Sequence, residues 1–136
     1  MMSGKEVEKE ARFVGYAAKA KIGLTGESHR STTYQFEIDG IQQEITSGLI
    51  GQLGDGVLAT VDGGKGKAKF SIEGTLTGCV PKVKTDAKGD IFKSTKVEVY
   101  ERSINIADSV KALRLLGDMI MLTVVPHQIK IPMEGE

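Results

Sequence analysis

The chain has 136 residues, 40% apolar and 26% charged, with 18 basic side chains balancing 18 acidic ones. That composition fits one globular domain, and zero net charge excludes a nucleic-acid or membrane binder that works by bulk charge, leaving only a local patch open. A lone cysteine, Cys79, excludes an internal disulfide and favours a reducing, cytoplasmic setting. The longest apolar run, Met119 to Val125, falls far short of the ~20 residues that span a bilayer, so no membrane role is expected.

Residues 1–10 are charged and read as a flexible segment; residues 11–132 form the expected single β-rich domain, and residues 133–136 a disordered tail. From Val14, alternation puts Val14, Tyr16, Ala18, Ala20, Ile22 and Leu24 on one side of a strand and Lys19 and Lys21 on the other. A helical reading of Val7, Ala11, Val14 and Ala18 competes, but Gly15 weakens it. Thr25 to Ser31 reads as a loop. "YQFEIDGIQQEI" then reads as a hairpin turning at Asp39-Gly40, with Tyr34, Phe36, Ile38, Ile41 and Ile45 on one face. Glycines at 48, 51, 54 and 56 predict a turn or one loose helical turn, followed by a short strand, Val57 to Val61.

"KAKFSIEGTLTGCV" alternates for so long that a straight strand would reach about 45 Å. Gly74 and Gly78 are the expected bends of a sheet curling toward a barrel. "KVKTDAKGDIFKSTK", Lys82 to Lys96, is the next turn region, and "VEVYERS" the returning strand. Asn105 caps a helix that ends at Gly117, with Ile106, Val110 and Leu113 as its buried stripe and Leu116 beside it. "DMIMLTVV" reads as a central strand, and "QIKIP" as a last strand after Pro126.

Two internal echoes are visible. "KAKIGLTG" resembles "KAKFSIEGTLTG", and "STTYQFEI" resembles "STKVEVYE". Matches this short also arise by chance; if they mark a duplication, the fold has two β units.

Catalytic and metal signatures are lacking. His29 lies in a polar loop and His127 follows Pro126, neither beside a serine- or cysteine-centred motif. Cys79 reads as a small packed side chain on a strand. One cysteine and two histidines cannot close a zinc site from nitrogen and sulfur ligands. "DAKGD" lacks the ligand spacing of a calcium loop and reads as a turn, and "DGGKGK" fails the P-loop pattern. No catalytic residue, metal or cofactor is assigned, and the balance leans away from an enzyme.

The basic region remains. From Gly64 to Lys96 eight lysines face three carboxylates, a local excess of five positive charges. The expected polyanion-binding residues are Lys82, Lys84, Lys88, Lys93 and Lys96, with Phe92 for stacking and Arg30 as an added cation. The competing reading is a solvated face and lysine-protected edge strands. Arginine is absent from the region, and Phe70 alternates with lysines and so faces the core.

The expected fold is therefore mainly β with one C-terminal helix, about seven strands in a partly closed, OB-like barrel or a two-layer sandwich. The expected function is a small non-enzymatic protein that holds single-stranded nucleic acid or a nucleotide through its lysine-rich hairpin. The alternative is a homo-oligomeric structural or partner-binding accessory protein, phage-like in general character, whose apolar last strand and glycine-punctuated edges pair between chains.

Overall fold

A computed structural model of the chain describes residues 6–127. Within those residues six antiparallel strands close into a barrel, and two short helices cap its ends. In chain order the elements are β1 (Val7–Ile22), β2 (Ser28–Asp39), α1 (Gln43–Ile50), β3 (Gly56–Asp62), β4 (Lys69–Thr85), β5 (Ile91–Glu101), α2 (Ile106–Leu115) and β6 (Met119–Pro126). The ring runs β1-β2-β5-β4-β3-β6 and back to β1. Alternate side chains point inward from every strand, and Phe13, Tyr34, Phe36, Ile72, Leu76 and Leu122 fill the core. The ring contacts are aromatic: Phe13 stacks on Phe36 at 5.1 Å, and Tyr34 lies between Phe13, Tyr16 and Phe70.

The barrel is built from two ββαβ units. Replacing β1, β2 and β3 by β4, β5 and β6 returns the same ring. The bulge at Phe13/Gly15 recurs at Leu76/Gly78, 63 residues on. At the same offset, positive-φ Gly26 and Gly54 recur as Gly89 and Gly117. Gly54 N donates to Leu76 O at 2.8 Å, and Gly117 N donates to Phe13 O at 2.7 Å, which is one contact made twice. "STTYQFEI" and "STKVEVYE" are in register at this offset; Lys19 corresponds to Lys82 rather than to Lys67.

Several expectations change. β1 begins at Val7, which is buried, inside the segment read as flexible. The bulge at Phe13/Gly15 switches faces, so Ala11 and Phe13 point inward before it, while Val14 is exposed. The Asp39-Gly40 hairpin does not form. A type I′ turn needs positive φ at both central residues, and only Gly40 has it, at 86°. β2 instead pairs with β1 and β5, and the chain leaves it into α1. That helix survives its glycine because Gly48 packs on Val7, where a Cβ would come within 3.0 Å. β6 pairs with β1 and β3 on its two sides, so the apolar last strand offers no edge. "QIKIP" and the tail lie outside the described residues.

α2 forms as read at its ends: Asn105 accepts from Asp108 N at 3.0 Å, and Gly117 follows with φ 94°. Its buried face is not the one expected. Ala112 and Leu115 are buried, while Ile106, Val110, Leu113 and Leu116 are exposed. The barrel mouth presents polar groups, and Ser109 on the inward side takes a hydrogen bond from Tyr16.

Candidate polyanion interface

Two hairpin arms leave the barrel. β2 and β5 overlap over Thr32–Asp39 and Ser94–Glu101, running antiparallel. Each strand extends beyond the overlap at its N-terminal end, so the arms point in opposite directions. One arm is the β1–β2 hairpin around residues 18–31. The other is the β4–β5 hairpin around residues 81–94. Each is open on its long side, because β6 pairs with β1 only as far as Arg12 and β3 with β4 only as far as Thr75.

The β4–β5 arm carries most of the lysines singled out in the sequence. Inward-facing Cys79, Thr95 and Val97 set the alternation of both strands. Cross-strand pairs Lys84–Phe92, Lys82–Ser94 and Val80–Lys96 therefore share the outer face. Pairs Val83–Lys93 and Pro81–Thr95 lie on the other face, so Lys93 is turned away from Lys82 and Lys84. Lys88 sits in the turn, which Asp86 holds by accepting from Lys88 N and Asp90 N, both at 2.9 Å. The "DAKGD" segment is thus a turn closed by one carboxylate, with Gly89 at φ 87°.

Phe92 is 57% exposed on the lysine face. Lys82 and Lys96 flank a shallow depression of about 300 Å³, together with Gln35, Thr77 and Glu98. Glu98 is held by neutral donors, Gln35 at 3.0 Å and Thr77 at 2.9 Å. Among the described residues none of Lys82, Lys84, Lys88, Lys93 or Lys96 makes an ion pair.

Arg30 lies on the opposite arm, away from these lysines, and the structure does not bring them together. It occupies the position of Lys93 in the other unit, and Lys19 and Lys21 occupy those of Lys82 and Lys84. The basic stretch from Gly64 to Lys96 is likewise divided. Lys67 belongs to the β3–β4 loop at the α2 end, where it pairs with Asp118 at 3.6 Å. Phe70 is buried, in accord with its alternation.

A polar cluster at the α2 mouth carried no sequence signal, because its members come from four separate elements. Tyr34 donates to Glu101 at 3.3 Å, and Tyr16 donates to Ser109. The corresponding residues at the other mouth are Val97, Ile38, Cys79 and Thr46, so one end of the barrel is largely apolar and the other polar. Burial raises the pKa of Glu101, with Asp108 and Glu73 adding to the shift and the Tyr34 hydrogen bond opposing it. Burial also raises the thiol pKa of Cys79, so this cysteine is a packed thiol rather than an activated one. A raised carboxyl pKa means that the folded state holds the proton more tightly than the unfolded chain. Its stabilising contribution is full below the ordinary carboxylate range and is lost as pH rises through the folded pKa. Glu101→Gln is therefore expected to raise Tm at pH 7, with the gain closing below about pH 4. Thermal melts of both proteins across that range check this, and equal melting temperatures at pH 7 would contradict it.

Among the described residues no group of three or more His, Cys, Asp and Glu side chains is placed to hold a metal ion, and no helix is long and apolar enough to cross a membrane. Fold and surface together define a class: a closed, duplicated ββαβ barrel with a hairpin arm at each end. No protein-family model, no curated protein and no solved structure matches the chain.

Proposed function

We propose that the protein is a non-enzymatic binder of single-stranded nucleic acid, working through the outer face of the β4–β5 arm in a reducing, cytoplasmic setting. The observation that supports this reading most is the shared face of Lys82, Lys84 and Lys96 with exposed Phe92. Ammonium groups neutralise successive phosphates, and the ring stacks on a base between them. A polynucleotide suits this face better than a free nucleotide, because the groups are spread along two strands rather than gathered in a pocket. Lysines that only protect an edge strand would give no reason for an exposed phenylalanine beside them.

Fluorescence anisotropy with a labelled single-stranded oligonucleotide tests the proposal. Replacing Lys82, Lys84, Lys88 and Lys93 by glutamate should weaken binding by about 100-fold or more at low salt, through loss and reversal of the phosphate contacts. Tm should stay nearly constant, because the arm lies outside the core. Lys82→Glu with Lys84→Glu should account for more of the loss than Lys88→Glu with Lys93→Glu. Phe92→Ala should cost about tenfold, near the low end of base-stacking energies. Affinity unchanged in the fourfold variant would end the proposal.

A further inference from the structure

The apolar stripe of α2 is present but faces solvent. Ile106 is 70% exposed, Val110 45% and Leu113 58%, spaced one helical turn apart along the helix. A stripe of this kind normally lies against a core. The other end of the barrel repeats the feature. Ile50 and Leu53 occupy the positions of Leu113 and Leu116 and are also exposed. Each end thus presents an apolar ridge that its own barrel leaves uncovered.

The charges around the two ridges differ. Both helices carry an acid in the first turn, Glu44 in α1 and Asp108 in α2, but only α2 has a basic residue in its last, Arg114. α2 carries exposed Lys111 and Arg114, which line a cleft of about 470 Å³ together with Lys67 and Asp118. Lys67 is paired with Asp118, and among the described residues Lys111 and Arg114 make no ion pair. We infer that the α1 end of one molecule docks on the α2 end of another, ridge against ridge, with Glu44 entering the cleft beside Lys111 and Arg114. The occupant of each ridge is a second copy of this chain. Two unlike ends meeting give a head-to-tail interface, which builds a ring or an open filament rather than a closed twofold dimer. This inference is independent of the nucleic-acid reading, since it uses neither arm's lysines.

Sedimentation velocity on the full chain at tens of micromolar should show association beyond the monomer. Leu113→Glu and Ile50→Glu each spoil one end and should weaken self-association by at least about tenfold, as interface anchors do. Mixed together they should form a one-to-one complex that grows no further, because each variant keeps one intact end. Glu44→Lys should also weaken association, and adding Lys111→Glu with Arg114→Glu should restore it. Circular dichroism should be unchanged throughout, since these side chains are exposed. A wild-type monomer at every concentration would overturn the inference. So would loss in Leu113→Glu with full retention in Ile50→Glu, the signature of a twofold contact through α2.

Discussion

Phe13→Ala should destabilise the protein by about 3–5 kcal/mol, the cost of removing a buried aromatic ring and leaving a cavity. Phe13 is fully buried and lies between Phe36 and Tyr34. It sits at the bulge where β1 changes faces. Its backbone also joins the two units, since Phe13 N donates to Asp118 O at 3.0 Å and Phe13 O accepts from Gly117 N at 2.7 Å. Alanine keeps those backbone bonds, so the loss isolates the ring. A domain of this size holds only about 5–15 kcal/mol in all, and the variant would be close to unfolding at ambient temperature. Urea titration reads the effect as a lower midpoint with the same slope. A loss under about 1 kcal/mol would mean that the aromatic cluster is not the centre of the fold. Leu76, its counterpart in the second unit, should lose about 2–5 kcal/mol on truncation to alanine.

Gly74→Ala should cost about 1–3 kcal/mol, the usual range for overpacking a tight site. A Cβ at Gly74 would stand 2.5 Å from the carbonyl oxygen of Tyr100, and that contact is with backbone, which has little room to give. The added methyl would push β5 away from β4 at the rim of the barrel. The corresponding residue in the first unit is Ala11, which is fully buried and packs without conflict. Ala11→Gly should therefore cost less, about 1 kcal/mol, through added freedom of the unfolded chain and a lost methyl contact. Denaturant titrations of the pair test whether the two units pack differently at equivalent positions. A neutral Gly74→Ala would show that β4 and β5 have slack there.

Local chemistry carried much of this fold into the sequence. Period-two alternation marked the long strand that became β4, and glycines 74 and 78 marked a close approach and a bulge in it. Asn105 and Gly117 marked the ends of α2, and "DAKGD" the tip of an arm. Each of these depends on a few consecutive residues, and backbone sterics and near-neighbour hydrogen bonds act at that range.

Tertiary structure alone decided the rest. Asp39-Gly40 has the composition of a hairpin turn, but β5 is the better partner for β2 once the ring closes. The stripe of α2 has the spacing of a buried face, yet the barrel mouth accepts Ala112 and Leu115 and leaves that stripe outside. The lysines between Gly64 and Lys96 form one run in the chain and fall at opposite ends of the barrel. Composition and spacing determined that this chain would be a curled β structure with charged turns. Which faces meet and which stay bare depended on contacts between residues far apart in sequence, where partner choice is set by the geometry of closure rather than by any residue's own preference.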